Sequence, residues 1–206
     1  MKEHFVITVG REYGSGGRAI AKLVAQKLNV PFYDKELLTL AAQKSGICQE
    51  IFEHNDEKTT VSDMLPVTAG TGFGAGVGLG LQMPMNQRVF LAQFEVITNL
   101  AKEQSCVIVG RCADYILEDI PNHLNVFVYA PEEARLKNCV ENLQMDPQTA
   151  KKMMRDVDAA RNRYHKAYIP GWQSVFDHKD LMIDSSRFGI DGTAKILADI
   201  VRNQWG

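Results

Sequence analysis

Three separated stretches place arginine among residues that can hold a phosphate. The first is VITVGREYGSGGRAIAKLVAQKL, residues 6–28. Gly10, Gly14, Gly16 and Gly17 let the chain turn closely around an anion, so that successive backbone N–H groups point inward. The helix that follows adds a partial positive charge at its start. Arg11 and Arg18 bracket the turn, and a guanidinium fork grips two phosphate oxygens at once. Ser15 puts a hydroxyl in the same loop, within reach of a phosphate or Mg²⁺. The second stretch, VIVGRCADYIL (107–117), sets Arg111 at the end of an apolar run with Asp114 three residues on. The third, RDVDAARNRYHKAY (155–168), spaces Arg155, Asp158 and Arg161 three apart. On a helix these cover one contiguous, gradually turning face. Two arginines with an aspartate between them suit a highly charged group in transfer, the aspartate holding the arginines in register or accepting a sugar hydroxyl.

Other chemistries have weaker support. The five histidines have no zinc-ligand spacing, and His165 alone lies near the arginine cluster, where a structural or surface role is expected. No G-x-S-x-G elbow with an ordered Ser–His–Asp set occurs. GTGFGAG (70–76) has the glycines of a dinucleotide fingerprint but no strand–turn–helix around it.

The elements that must position these residues follow from periodicity. Residues 4–10, 106–110, 124–130 and 180–186 are continuous apolar runs, with a strand stub at 31–34. Between them lie helical patterns: 17–30 with Ile20, Leu23, Val24 and Leu28 on one face, and 35–46 with Asp34 as cap and Gly46 as stop. A short helix is expected at 48–58, and a long one at 86–104 with Val89, Phe90, Phe94, Ile97 and Leu100 forming an apolar face for core or partner. Helices at 131–143, 146–169 (Asp146 as cap, Pro147 in the first turn) and 191–205 complete the set. Apolar strands alternating with helices describe an α/β protein with a parallel sheet covered on both faces. Ligands of such sheets bind beyond the carboxyl ends of the strands, where Gly10–Gly17, Gly110–Arg111 and Ser185–Arg187 fall. Residues 59–86 carry glycines at 70, 72, 74, 76, 78 and 80 and read as a mobile loop or lid, or as an ordered arm.

The chain of 206 residues can bury one good core, and 45% apolar content is ordinary for a globular protein. Lys and Arg total 23 against 25 Asp and Glu, a formal net charge of −2, which gives no global attraction to nucleic acid. An anion site must therefore be a local cluster. The four cysteines, at 48, 106, 112 and 139, have no C-x-x-C spacing and read as reduced thiols of a cytoplasmic protein. The N-terminal MKEHFVITVG is too short and too charged for a signal peptide, and no run approaches eighteen apolar residues, so no membrane partner is expected. Monomer and homodimer both remain open.

Taken together, VGREYGSGGRAIAKLVAQKLNVPFYDKELL, VIVGRCADYIL, RDVDAARNRYHKAY and LMIDSSRFGID resemble the cytidylate kinase-like family, a relative of the P-loop nucleoside monophosphate kinases. The likeness runs over nearly the whole chain. It implies one domain over 1–206, with a five-stranded parallel sheet flanked by helices, an acceptor-binding insertion within 35–100 and lid helices within 144–170. It implies ATP and Mg²⁺ as cofactors and a small nucleotide such as CMP or dCMP as acceptor. Donor contacts are then expected from Gly10, Arg11, Gly14, Ser15, Gly16, Gly17 and Arg18, with Arg187 near the adenine. Acceptor contacts are expected from Asp34, Arg111 and Asp158, and charge stabilisation in transfer from Arg18, Arg155 and Arg161. The loop departs from the true cytidylate kinases' G-S-G-K-G-T: Gly17 falls at the lysine and Ala19 at the threonine. Arg18 or Arg11 is left to replace the lysine's charge, and Ser15 or water to serve the metal. Loss of those two residues also suits a binding or regulatory protein of the same fold that transfers nothing, and a kinase for another small molecule is a further reading.

Overall fold

The computed structural model describes residues 4–48, 50–51 and 84–206. Most of the expected helix at 48–58, and the glycine-rich stretch 59–86 except its last three residues, lie outside the described residues. Five strands form one parallel sheet in the order β2-β3-β1-β4-β5: β1 (Val6–Arg11), β2 (Phe32–Tyr33), β3 (Cys106–Val109), β4 (His123–Tyr129) and β5 (Leu181–Asp184). β1 lies at the centre, with Val9 opposite Val109 on one side and Val126 on the other.

Side chains alternate across a strand, so β1 feeds two cores. Ile7 and Val9 face α1 (Gly17–Leu28) and the C-terminal helix α7 (Ser185–Trp205), with Ile20, Val24, Ala194 and Leu197 buried there. Val6 faces the other way, with Ile108, Leu37 and Ile97, beneath α2 (Glu36–Ser45) and α3 (Met85–Glu103). Both faces are apolar, which is why the strands read as continuous rather than alternating runs. Thr8 is the polar exception in β1. Its buried hydroxyl donates to Asn125 Oδ1 at 3.2 Å and lies 2.7 Å from His123 Nε2.

Among the described residues no helix is long and apolar enough to cross a membrane. Two local expectations are corrected. Asp34 does not cap α2 with its side chain; the cap residue is Lys35, and the Asp34 carboxylate is taken by Arg18. On α3 the expected face holds at Val89 and Ile97, which are buried, but not at Phe94, which is exposed, whereas Val96, Ala101 and the polar Gln93 are buried. Gln93 is admitted because Tyr164 donates a hydrogen bond to its Oε1 at 3.1 Å. The last helix is preceded by a short turn of helix directly after β5, where Asp184 accepts from Ser186 N–H at 2.9 Å; the chain breaks at the non-helical Gly189 (φ 66°), and the closing helix follows it as expected. A one-turn helix that no periodicity announced, α4 (Ala113–Ile116), follows β3. By contrast, α6 (Pro147–Tyr168) starts as expected: the Asp146 carboxylate accepts from the N–H groups of Gln148 and Thr149 at 3.1 and 3.0 Å.

Candidate phosphate-binding site

The loop between β1 and α1 is built around two left-handed glycines, Gly14 (φ 82°) and Gly16 (φ 77°). A Cβ at Gly14 would stand 2.9 Å from both the Arg135 carbonyl oxygen and Cys139 Sγ, so strain and space both demand glycine there. The loop is tied down at each end. Asn138 donates to the Gly14 carbonyl at 2.8 Å, and the Ser185 hydroxyl donates to the Ser15 carbonyl at 2.7 Å. No side chain caps α1, whose N-cap is Gly16, and the first N–H groups of a helix have no partner within it.

Gly17 is the position at which true cytidylate kinases carry lysine. Here a Cβ at 17 would fall 2.6 Å from Arg11 Cβ and 3.3 Å from Val128 Cβ. The space into which a lysine would start is filled by the stem of Arg11, the last residue of β1. Arg18 leans elsewhere: its Nε lies 2.5 Å from Asp34 Oδ2, and its side chain is 61% exposed. Two residues expected in separate roles, donor and acceptor, thus form one ion pair. Ser15 is buried, donates to the Glu12 carbonyl at 2.9 Å and accepts from Gly17 N–H at 3.3 Å. With Ala19 lacking a hydroxyl, and no cluster of three or more His, Cys, Asp or Glu suited to a metal among the described residues, those residues do not offer Mg²⁺ a ligand set of their own.

α6 docks on this loop. Asp158 Oδ1 accepts from Tyr13 N–H at 2.7 Å and lies 3.5 Å from Arg161 Nη1, whereas Oδ2 accepts from Arg135 Nη1 at 2.6 Å. Arg161 also donates to the Arg11 carbonyl at 3.0 Å, and Arg135 to the Tyr13 carbonyl at 3.2 Å. Arg135 Nε stands 3.6 Å from Glu12 Oε2. Tyr13 packs its ring against Cys139, Ala150 and Met154, which fastens α6 and α5 (Glu132–Glu141) to the loop. The structure therefore brings Gly10–Gly17, Asp158 and Arg161 together. Arg155 is exposed on the earlier part of α6, and Arg187 is exposed with Nε 3.7 Å from Asp184. Arg135 and Glu12 were missed, because no spacing in PEEARLKN marks an arginine whose partners lie in other elements.

At the end of β3, Gly110, Arg111 and Cys112 adopt successive left-handed conformations (φ 72°, 60° and 54°). Such conformations cost about 1–3 kcal/mol each for non-glycine residues and gather at functional sites. Arg111 is only 2% exposed, and Cys112 is in the core. Asp114 is buried against Lys179, and His165 Nε2 lies 3.6 Å away. Burial pushes the Asp114 carboxyl up, but His165 and Lys179 outweigh it and hold the group well below the usual carboxylate range. Asp114, His165, Lys179, Trp172, Arg161 and the backbone of Gly10 are among the residues around a cavity of about 110 Å³ beside the loop. His165 is thus no mere surface residue. Its Nδ1 lies 2.9 Å from the Arg161 carbonyl, and its ring packs on Trp172 at 4.7 Å. Cys106, Cys112 and Cys139 are buried and outside any disulfide, and Cys48 is exposed; burial pushes the Cys106 thiol up to about 12.

A five-stranded parallel sheet with a glycine-rich loop leading from its central strand into a helix defines the P-loop nucleoside monophosphate kinase-like fold. Residues 6–187 match the cytidylate kinase-like family, and the chain belongs to that family. A cytidylate kinase of Methanocaldococcus jannaschii is 23% identical over 206 residues, covering 96% of this chain and 98% of that one. Among solved structures, an uncharacterised protein of Eubacterium ventriosum superposes with a TM-score of 0.69 at 27% identity, over 97% of this chain and 99% of the other. Shikimate kinase of Acinetobacter baumannii, solved with shikimate, superposes with a TM-score of 0.52 at 15% identity, over 100% and 97% of the two chains, a likeness of fold.

Proposed function

We propose that this protein transfers the γ-phosphate of ATP to a nucleoside monophosphate, with CMP or dCMP as the first candidates. The observation that carries the reading is the docking of Arg161 on the phosphate loop, its Nη1 3.0 Å from the Arg11 carbonyl. A guanidinium supplied by the lid helix to the rim of a glycine loop suits a group whose negative charge must be held in transfer. Phosphoryl transfer demands little covalent work of the protein, so positioning and charge neutralisation supply the rate.

In this reading the loop amides and the start of α1 hold the donor phosphates. Arg11, whose stem fills the lysine's place, supplies the cation there, whereas Arg18 braces Asp34 at the acceptor side. Arg111 holds the acceptor phosphate from its strained position after β3. Arg161 and Arg135 stand at the loop beside Asp158, Arg155 joins them on closure, and Arg187 borders the adenine. MgATP would bring its metal with the nucleotide; no step is assigned to a metal, because the residues around the loop do not fit one.

A coupled assay with ATP and each nucleoside monophosphate tests this. Turnover is expected with a cytidine acceptor, and no turnover with any acceptor from folded protein refutes it. The space-filling of Gly17 favours a second reading: a protein of the same fold that binds nucleotide and transfers nothing. Calorimetric ATP binding without turnover selects that alternative.

A further inference from the structure

We infer that Tyr13 N–H, Arg135 and Arg161 form a site for two oxygens of one anionic phosphoryl group, and that the chain's own Asp158 carboxylate occupies it until a polyphosphate displaces it. The inference rests on reading the loop as a polyphosphate site, and it adds a residue, Arg135, and a competition to that reading.

The geometry is that of an anion contact. One loop N–H and two guanidinium groups converge on a single carboxylate, at 2.7, 2.6 and 3.5 Å. Carboxylate and phosphoryl oxygens take charge-assisted hydrogen bonds from N–H donors at the same distances, about 2.7–2.9 Å, so one can replace the other on these donors. The donors do not depend on Asp158 for their place. Tyr13 is fixed by its ring between α5 and α6, and Arg135 is fixed by the Tyr13 carbonyl at 3.2 Å and by Glu12 at 3.6 Å. Arg161 is fixed by the Arg11 carbonyl at 3.0 Å. Asp158 sits one helical turn before Arg161 and is only partly buried, so its carboxylate can swing outward without unpacking α6.

The charges agree. Arg135 and Arg161 are balanced by Glu12 and Asp158, which leaves the cluster neutral with the carboxylate in place. Without it the cluster carries one positive charge, directed at the loop. A ligand that must first displace the carboxylate binds with an apparent affinity reduced by the fraction of molecules in which the site is open. Removing the carboxylate should therefore tighten binding. A residue that held the substrate's sugar would do the opposite.

The probe is pyrophosphate, titrated into the full chain by calorimetry at low ionic strength, with ATP as a second ligand. Asp158→Asn is expected to tighten pyrophosphate at least fivefold, and Arg135→Met to weaken it and abolish the gain when combined with Asp158→Asn. Unchanged or weaker binding by Asp158→Asn overturns the inference. Wild-type protein supplies a check that needs no variant. In ¹⁵N-labelled protein the Tyr13 amide resonance should shift on saturation with pyrophosphate, and a Tyr13 amide that does not respond overturns the inference equally. Turnover in the coupled assay with no gain from Asp158→Asn removes this inference and leaves the kinase reading standing; a gain without turnover does the reverse.

Discussion

Putting a lysine back at position 17 should damage this protein rather than repair it. A Cβ there would lie 2.6 Å from Arg11 Cβ and 3.3 Å from both Arg11 Cγ and Val128 Cβ. Carbon atoms rest at about 3.5–4.0 Å, so the nearest contact is short by about 1 Å. The two Cβ atoms sit directly on the backbones of β1 and β4 and cannot swing aside. Overpacking of this kind costs about 1–3 kcal/mol. Against it, replacing a helical glycine returns roughly 0.5–1 kcal/mol of chain entropy. At the middle of these ranges the net loss for Gly17→Lys, and for Gly17→Ala, is about 1 kcal/mol, or a fall in Tm of about 2–4 °C for a chain of this size. Denaturant titration should show a lower midpoint at unchanged slope. Arg11→Gly removes the clashing atom, so the double variant Arg11→Gly/Gly17→Lys should be more stable than the two single effects predict, by about 1 kcal/mol. A Gly17→Lys protein that melts with the wild type, or a strictly additive double variant, refutes the steric argument and with it the assignment of the lysine's place to Arg11.

Asp114→Asn should cost about 3–5 kcal/mol at neutral pH, because it leaves Lys179 buried without its counter-charge. The Asp114 carboxyl is held below its unfolded value, so on acidification the unfolded chain takes the proton first, and the wild-type advantage, full at pH 5–7, should shrink below about pH 4 in denaturant midpoints. For His123, burial lowers the ring's pKa, so the unfolded state gains the proton first below about pH 6.5 and stability falls with it; His123→Gln should flatten that part of the pH–stability curve. Arg18→Met, which breaks an exposed pair, should change ATP affinity by less than about threefold. Arg161→Met, which removes a charged donor from the loop, should weaken it about tenfold or more. Calorimetry compares the two, and the reverse order would return the donor cation to Arg18.

Periodicity and caps by themselves determined the layered parallel sheet, the glycine loop after β1, the start of α6 at Asp146 and the placing of Gly10–Gly17 and Gly110–Arg111 at strand ends. Each of these is local, since apolar runs, left-handed glycines and capping carboxylates act on neighbouring residues. Three-dimensional packing decided which side chains meet. Arg18 and Asp34 lie sixteen residues apart and looked like parts of two sites until the fold joined them. Arg135 reaches Asp158 and Tyr13 only because α5 and α6 close on the loop, and Gln93 is buried only because Tyr164 faces it. Gly17 showed in the sequence as an absent lysine; the fold made it a filled space, because the pleat of β1 points the Arg11 stem there. Strand and helix periods fix which face a residue takes, whereas the partner across the gap depends on chain segments that no local spacing can register.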